Sequence, residues 1–348
     1  MSKMTAYIKE TRGPGFKKVE KEIPNDIGDD EVFIKVLATS ICGTDVHIYE
    51  WDRWSQNRLK PPLTVGHEFS GRVLEIGKNV KNVKVGDIVS AETHIVCHTC
   101  EFCLRGEHHI CENTKIIGVD TDGCFAEYIK MPAYNLIKDE SKVHPKYLSI
   151  QEPLGNAVHT MMQYPIKDKT VAIVGCGPIG LMGVDIARAL GAKKIIAIEV
   201  NEYRINLAKE LGADVVINPV TEDVITRVFE ETNEKGVDVV AEFSGKKSAI
   251  EASFKYIKPG GKMSMLGLGD KNIDIDFSTD IVFKGIEIYG VVGRKMFETW
   301  DQIKEFLSKN SLNLEKIVTH FYKFDEMEEA MAKMRSGNSG KVVLLLED

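Results

Sequence analysis

Four cysteines stand close together in the first third of the chain. Cys97, Cys100, Cys103 and Cys111 follow the spacing C-x2-C-x2-C-x7-C. Four thiolates this close can complete a closed tetrahedral shell around zinc, which leaves no coordination position open. Iron–sulfur runs that begin in the same way continue x3-C-P, whereas here the last gap is seven residues and Glu112 follows. The spacing therefore predicts a structural zinc site that stabilises a surface lobe.

A second set of metal-capable side chains precedes the cysteines. Cys42 offers a thiolate, His67 an imidazole and Glu68 a carboxylate, within ATSICGTDVHIYEWD (38–52) and GHEFSG (66–71). On spacing alone the set is ambiguous, because a cysteine and a histidine 25 residues apart are often unrelated. A second metal-like region and a nucleotide motif in the same chain favour the metal interpretation.

A glycine-rich turn follows an apolar run at residues 171–175. Gly175, Gly177 and Gly180 form G-x-G-x-x-G, directly after VAIVG and at the start of a helical pattern. In that context the first glycine permits a tight turn, the second lets pyrophosphate approach the backbone, and the third lets helix and strand pack closely. The helix N-terminus then faces the phosphates. The motif predicts a dinucleotide site, and a glycine-rich turn in an unrelated α/β domain is the alternative.

The acid that belongs about 20 residues after this motif is present. Glu199 lies 19 residues after Gly180, at the end of the next predicted strand. Its carboxylate can accept hydrogen bonds from the adenosine ribose and would repel a 2′-phosphate, which favours NAD over NADP. Arg204 argues the other way, because a nearby arginine can accept that phosphate. With Glu199 present, NAD is the expected cofactor.

The elements that must position these residues change in character along the chain. Over residues 31–90, short β-branched runs broken by Gly, Asn and Asp predict a twisted, mostly antiparallel unit. In the middle of the chain, apolar strands alternate with amphipathic helices, for example a helix over 221–232. This alternation predicts a parallel, doubly wound sheet.

Two helical segments and a last strand, KVVLLLE (341–347), follow the alternating region. A final strand far from the β-rich first half suggests that the chain returns to it. We therefore expect an α/β protein with a discontinuous first domain, 1–155 with 295–348, around a nucleotide domain at 156–294.

The composition sets limits on the class of protein. The chain has 348 residues, enough for two domains, and a net charge of −7. A mildly acidic balance argues against a nucleic-acid or membrane-surface partner. We see no apolar run of transmembrane length and no signal-peptide region in MSKMTAYIKE, so we expect the cytoplasm. Seven cysteines, an odd number without an export signal, do not indicate a disulfide framework.

These motifs together resemble the zinc-dependent medium-chain dehydrogenases over nearly the full length. CGTDVH, GHEFSGRVLEIG, VKVGDIV, the four cysteines, DGCFAEY and GCGPIG occur in that family's order. The resemblance implies a GroES-like, β-rich catalytic domain joined to a Rossmann domain. It also implies one catalytic and one structural zinc per subunit, NAD, and commonly a homotetramer.

Within this family, four stretches are similar to members that oxidise L-threonine: ATSICGTDVHIYEWD, ETHIVCHTC, NTKIIGVDTDG and QEPLGNAVHT. The activity that this resemblance implies is NAD-dependent oxidation of L-threonine at the 3-hydroxyl, to L-2-amino-3-oxobutanoate. A 2,3-butanediol or sorbitol-type polyol dehydrogenase is the alternative, and a non-catalytic NAD-binding relative is less favoured.

The resemblance also carries roles over to matching positions. Cys42, His67 and Glu68 match the ligands of the catalytic zinc, while Thr44 and His47 match the relay that takes the alcohol proton to solvent. The four clustered cysteines match the structural zinc lobe. The positions that match cofactor contacts are Ile179, Glu199, Arg204, Leu266, Gly267, Leu268, Val291 and Val292.

Two further residues are expected near the substrate. Glu152, in QEPLG, matches an acid that approaches the metal, where it would ligate zinc reversibly, steer the proton relay or hold the substrate ammonium. His94, in ETHIVC, matches a position typical of the threonine-oxidising members and is the candidate for substrate discrimination.

Overall fold

The computed structural model describes residues 2–24, 26–269 and 271–346. The β-strands, in chain order, are β1 (Lys3–Lys9), β2 (Lys17–Glu22), β3 (Glu31–Ser40), β4 (Leu63–Thr64), β5 (Glu68–Ile76), β6 (Ile88–Ala91), β7 (His94–Ile95), β8 (Lys115–Ile116), β9 (Tyr128–Pro132), β10 (Leu136–Lys138), β11 (Thr170–Val174), β12 (Lys194–Ile198), β13 (Val215–Ile217), β14 (Val237–Glu242), β15 (Ile257–Met265), β16 (Glu287–Gly290), β17 (Val318–Lys323) and β18 (Lys341–Leu345).

The α-helices are α1 (Gly43–Glu50), α2 (Arg53–Arg58), α3 (Glu101–Leu104), α4 (Pro145–Leu148), α5 (Gln151–Met162), α6 (Pro178–Ala189), α7 (Glu202–Glu210), α8 (Val224–Glu231), α9 (Lys247–Tyr256), α10 (Glu298–Ser308), α11 (Leu314–Ile317) and α12 (Met327–Arg335). Short 3-10 turns occupy His108–Ile110, Ala133–Asn135 and Phe324–Glu326, and Phe277–Val282 is a π-helix. Within the described residues, we find no helix with the length and apolar character that crossing a membrane requires.

The β-rich part is built on a seven-stranded sheet with the order β10-β6-β5-β3-β18-β17, in which β9 also pairs with β3. Its pairs are antiparallel except for β17 with β18. Strand β18 comes from the end of the chain and pairs with β3, with Val343 opposite Ser40. The last strand therefore lies in the sheet of the first half. Residue 347, which the sequence pattern placed in this strand, lies outside the described residues.

The middle of the chain forms a six-stranded sheet with the order β13-β12-β11-β14-β15-β16, and every pair is parallel. The order reverses between β11 and β14, so the connections leave in opposite directions and open a crevice at the carboxyl ends of these strands. Buried apolar side chains cover both faces, with Ile173 and Leu181 in one core and Ile196 and Phe254 in the other. The predicted fold class, a GroES-like β-rich part plus a doubly wound parallel sheet, is confirmed.

Helix α5 was not recognised in the sequence. Ten of its residues are buried, so it has no polar face for a helical periodicity to show. It spans the predicted division between 155 and 156, and its apolar side chains join the core that also contains Ala38 and Val343 of the β-rich sheet. The domain bounds 1–155 with 295–348 and 156–294 stay a prediction.

Lys9 on β1 is a buried cation that is bound by carbonyls. Its Nζ donates to the backbone oxygens of Gly15 at 3.1 Å and Tyr49 at 3.2 Å. The same nitrogen lies 5.8 Å from the ring centroid of Phe16 and 5.3 Å from that of Trp51. Burial lowers the pKa of Lys9 from 10.5 to about 8. The amine ties β1 to the C-terminal end of α1.

This depressed pKa predicts a pH-dependent stability. Between pH 8 and 10.5 the unfolded chain keeps a proton that the folded chain has lost, so folding is favoured as pH rises. We expect the free energy of unfolding of the wild type, relative to that of Lys9→Met, to rise from pH 8 to pH 10. Urea unfolding of both proteins at several pH values measures this difference and cancels the ionisations that they share. A difference that stays constant across this range would contradict the assignment.

Candidate active site and metal centres

The metal-capable set of Cys42, His67 and Glu68 converges at the end of the β-rich sheet. Cys42 is the N-cap of α1, and His67 and Glu68 stand at the start of β5. One ligand atom from each lies within 4.8 Å of the others. Gly66 turns the chain into β5 with φ +86°, and a Cβ there would collide with the ring of Phe125. Only glycine fits this turn, which aims His67 at Cys42.

The buried polar atoms of this set and of the neighbouring Asp45 fit a divalent metal. Among the described residues, His67 Nδ1, Glu68 Oε1 and Asp45 Oδ1 are buried without a hydrogen bond. A buried polar atom without a partner costs roughly 1–3 kcal/mol. A thiolate, an imidazole and a carboxylate form a ligand set that zinc accepts, with a further position left open.

Two carboxylates around this set are themselves held in place. Asp45 accepts the backbone N–H of Cys42 at 2.8 Å, and its other oxygen lies 3.5 Å from His67 Nδ1. Glu68 Oε2 accepts from Lys341 Nζ at 2.5 Å and from the hydroxyl of Ser40. Burial raises the pKa of Glu68, and the charge of Lys341 opposes that effect.

Sequence reasoning missed Asp45, Lys341 and Ser40. Asp45 lies inside the motif CGTDVH, so a carboxylate that orients a metal-binding histidine could have been sought there. Ser40 and Lys341 gave no local signal, because only the pairing of β3 with β5 and β18 brings them to Glu68.

The expected relay residues both lie on α1. Thr44 Oγ1 is 3.7 Å from Cys42 Sγ. His47 follows three residues later on the same helix face, and its side chain is 60% exposed. Its Nδ1 lies 2.8 Å from a carboxylate oxygen of Asp52. Helix α1 thus reaches from the metal-capable set to solvent.

The expected acid Glu152, on α5, pairs with an arginine that the sequence analysis did not single out. Glu152 Oε1 lies 2.5 Å from Arg294 Nη1 and accepts from Thr93 Oγ1 at 3.2 Å. Arg294 also binds Glu92 through two nitrogens, Nε at 2.8 Å and Nη2 at 2.5 Å. One guanidinium therefore serves two carboxylates.

This cluster is almost fully buried. Burial alone would raise the pKa of Glu92, but the charge of Arg294 and the hydrogen bonds from Arg294 and His94 together outweigh it and keep that pKa below its ordinary range. Burial would likewise lower the pKa of Arg294, and the charges of Glu152 and Glu92 raise it instead. Helix α5, which carries Glu152, contacts strand β5, which begins at Glu68, and the charge of Glu152 raises the pKa of Glu68.

His94 joins the same cluster. Its Nδ1 lies 2.6 Å from Arg294 Nη2 and 3.0 Å from a carboxylate oxygen of Glu92. A Cβ on Gly293 would lie 3.2 Å from the His94 ring. The two residues that the sequence placed near the substrate, His94 and Glu152, are thus connected through Arg294. Nothing in the local sequence GRKMF marks Arg294, so sequence reasoning could not find it.

The four clustered cysteines form a separate group of possible metal ligands. All four sulfur atoms lie within 4.8 Å of one another, and none is in a disulfide. Cys97 and Cys111 are 3.6 Å apart and Cys100 and Cys111 3.9 Å, close to the edge of about 3.8 Å of a tetrahedron with zinc–sulfur bonds of about 2.3 Å. The backbone N–H of Thr99 lowers the pKa of Cys97 to about 5. The arrangement fits a closed shell.

The glycine-rich turn opens onto a cavity of about 590 Å³ at the crevice of the parallel sheet. Gly175, Gly177, Glu199 and Arg204 line it. Gly175 has φ +86°, and a Cβ on Gly180 would collide with the Gly175 carbonyl, so the close packing expected for this glycine is present.

The carboxylate of Glu199 is fixed by backbone donors. It accepts the N–H groups of Cys176 at 2.7 Å, Val200 at 2.8 Å and Asn201 at 2.9 Å. The nearby Arg204 directs its Nε to the carbonyl of Ser339 at 3.4 Å. Glu199 and Arg204, which both affect the choice between NAD and NADP, thus line the same cavity.

The other expected cofactor positions border the crevice rather than this cavity. Leu266, Gly267 and Leu268 follow the carboxyl end of β15, and Leu268 is 97% exposed. Val291 and Val292 follow the end of β16, with Val292 54% exposed. Ile179 lies half-buried in the first turn of α6.

Comparison with known proteins agrees with this geometry. The family model described as alcohol dehydrogenase GroES-like domain matches residues 28–141, and the zinc-binding dehydrogenase model matches residues 178–309. The structure of 2R,3R-butanediol dehydrogenase from Bacillus subtilis superposes with a TM-score of 0.89 at 26% identity, covering 99% of this chain and 100% of that one.

Relatives of much higher identity carry another name. L-threonine 3-dehydrogenase from Pyrococcus horikoshii is 51% identical over 99% of this chain and 99% of its own. The protein of the same name from Caldanaerobacter subterraneus is 52% identical over 98% of both chains. The chain therefore belongs to the zinc-dependent medium-chain dehydrogenase family, within the group whose members are named L-threonine 3-dehydrogenase.

Proposed function

We propose that this protein oxidises L-threonine at the 3-hydroxyl, with NAD as hydride acceptor, to L-2-amino-3-oxobutanoate. The observation that carries the proposal is the charge of the cluster beside the metal-capable set. Glu92 and Glu152 share the single cation Arg294, which leaves one excess negative charge. Such a site suits the ammonium of an amino acid better than a neutral diol. The names of relatives at 51% and 52% identity support the same substrate.

In this proposal Cys42, His67 and Glu68 hold the catalytic zinc, and the four clustered cysteines hold a structural zinc, two per subunit. When bound, the catalytic ion lowers the pKa of the substrate hydroxyl and NAD takes up the hydride. Thr44 Oγ1 would accept the hydroxyl proton while it releases its own, and His47, on the solvent side of α1, would take up the released proton and pass it to water.

The substrate is oriented by the neighbouring cluster. Arg294 binds Glu152 Oε1 at 2.5 Å, which holds this carboxylate on α5 and away from metal ligation. We therefore assign Glu152 to the substrate ammonium. His94, which contacts Arg294 and Glu92, lies beside the substrate ammonium in this proposal and distinguishes threonine from substrates without an amino group.

The cofactor in this proposal is NAD. The carboxylate of Glu199, held by three backbone N–H groups, can accept hydrogen bonds from the adenosine ribose. Its negative charge disfavours a 2′-phosphate. The pyrophosphate would lie at Gly175–Gly180 and the N-terminus of α6. The turns at Leu266–Leu268 and Val291–Val292, with Ile179, would border the nicotinamide half.

We also propose a homotetramer that works in the cytoplasm. Large apolar side chains are exposed at the edge strand β16 and beside it, with Ile288 41%, Val282 55% and Phe283 83% exposed. Exposed apolar patches of this kind mark protein interfaces. All seven cysteines are free, which is usual in a reducing compartment.

A substrate panel tests the proposed activity. NADH formation is followed with the zinc-loaded protein and L-threonine, L-serine, 2,3-butanediol or sorbitol. We expect kcat/KM for L-threonine to exceed that for either polyol by roughly 100-fold or more, because a neutral substrate leaves the excess negative charge of the cluster uncompensated. The same rates with NADP should be lower than with NAD. A preference for a diol or polyol would assign the protein to the alternative activity.

His94→Asn tests the discrimination assigned to His94. Losing a hydrogen bond to charged groups costs about 1.5–3 kcal/mol, so the ratio of kcat/KM for threonine to that for 2,3-butanediol should fall roughly tenfold or more. His144→Asn is the matched control, because His144 is exposed and caps α4 by accepting the N–H of Lys146, a role that asparagine also fills. An unchanged ratio in His94→Asn removes this residue from substrate choice.

Stepwise metal removal tests the assignment of two zinc ions. A small chelator should take the ion at Cys42, His67 and Glu68 first, because this set leaves a position open. Activity should then vanish while the Tm changes little. Removal of the second ion, from the four cysteines, should lower the Tm by several degrees. Metal analysis alongside each step counts the ions, and a single ion per subunit, or loss of both together, would be inconsistent with two sites.

A further inference from the structure

The chain segment that carries Arg294 packs directly on the cysteine-rich lobe, residues 96–111. Met296, two residues after Arg294, is 7% exposed. It forms one apolar cluster with Val96, Cys103 and Cys111, and Cys97, Cys100 and Phe297 flank this cluster. Met296 thus packs in the same apolar cluster as the cysteines of the predicted structural metal site.

A second set of contacts joins the same two segments. The ring of Phe297 lies 5.0 Å from that of Tyr134, which in turn lies 4.4 Å from the ring of His98 in the lobe. His108 Nδ1 is 3.5 Å from the carbonyl oxygen of Met296. Two adjacent residues after Arg294 are therefore bound to the lobe by packing, ring contacts and a polar contact.

Arg294 itself leaves little room for displacement. It is 1% exposed, and a Cβ on Gly155 of α5 would lie 2.6 Å from its Cδ, so the side chain lies flat on this helix. On the other side of Arg294, the carbonyl of Gly293 lies 2.9 Å from His159 Nδ1. Helix α5 thus holds the segment before Arg294, and the lobe holds it after.

The lobe reaches the cluster by a second route as well. His94, which contacts Arg294, precedes Cys97 by three residues, and Glu92 precedes His94 by two. A shift of the lobe would therefore move His94 and Glu92, two partners of the Arg294 guanidinium. Bidentate pairing needs both nitrogens aligned with the carboxylate, so a displacement of about 1 Å breaks it.

We propose that the cysteine lobe, closed by its metal, is a positioning element of the substrate site: by clamping Met296 and Phe297 it fixes Arg294, and through Arg294 it fixes Glu152 and His94. The substrate part of this inference rests on the proposed function. The positioning of Arg294 rests on the contacts alone.

Trp300 provides a reporter of the cluster that does not depend on activity. Its indole Nε1 donates to Glu92 Oε2 at 2.9 Å, and its side chain is fully buried. The chain contains three tryptophans, so protein labelled with 5-fluorotryptophan gives three 19F resonances. The variant Trp300→Phe identifies the resonance of Trp300.

The test is Met296→Ala, which leaves all four cysteines in place. We expect two zinc ions per subunit as in the wild type, a shifted or broadened Trp300 resonance, and a KM for threonine raised about tenfold, as for a weakened charged hydrogen bond. The KM for NAD should change less than about twofold, since the adenosine contacts are untouched. Met296→Leu, which conserves volume, should restore both readouts.

Met4→Ala is the control for loss of a buried methionine. Met4 is 5% exposed on β1, in a separate small core. This variant should lower the Tm to a similar extent while its Trp300 resonance and KM values stay as in the wild type. If Met296→Ala behaves in the same way as Met4→Ala, the lobe does not position Arg294. If the wild type does not oxidise threonine, the proposed function fails, and the Trp300 resonance still decides the positioning of Arg294.

Discussion

The pairing of Arg294 with Glu92 and Glu152 is the interaction on which the candidate site depends. A buried guanidinium is stable only where its charge and its donors are satisfied, and here its nitrogens make six contacts, two to Glu92 and one each to Glu152, Asn156, Thr93 and His94. These partners lie on α5 and on the segment after β6. The arginine therefore fixes two parts of the structure against each other and leaves a carboxylate beside the metal-capable set.

A second buried cation repeats this arrangement on the other side of the metal-capable set. Lys341 binds Glu68 and the carbonyl of Ile41, next to Cys42. Glu68 and Glu152 thus pair with different cations, Glu68 with Lys341 and Glu152 with Arg294, which Glu152 shares with Glu92. Because these pairs are separate, the charge of the cluster around Glu152 can differ from the charge of the metal-capable set around Glu68. A site that must hold both a metal and a charged substrate requires this separation.

Much of this protein could be predicted from its sequence, and the limits have a common cause. The cysteines, the glycine turn and Glu199 depend on local spacing, which a sequence displays. Helix α8 was expected over 221–232 and begins at Val224, because Asp223 caps it by accepting the N–H of Thr226. Arg294 and Lys341 could not be found, since their partners lie 202 and 273 residues away. Only the return of the chain to the first sheet creates these contacts.

The same long-range contacts connect the site to the completion of the fold. Arg294 follows β16, the last strand of the parallel sheet, and Lys341 begins β18, the last strand of the β-rich sheet. Until both segments are in place, Glu92 lacks Arg294 and Glu68 lacks Lys341, and a buried ion pair that loses one partner destabilises by about 3–5 kcal/mol. The acids near the metal can therefore be buried only when the parallel sheet is complete and the chain has returned. The candidate site and the closed fold consequently form together, because the ion pairs that stabilise one also stabilise the other.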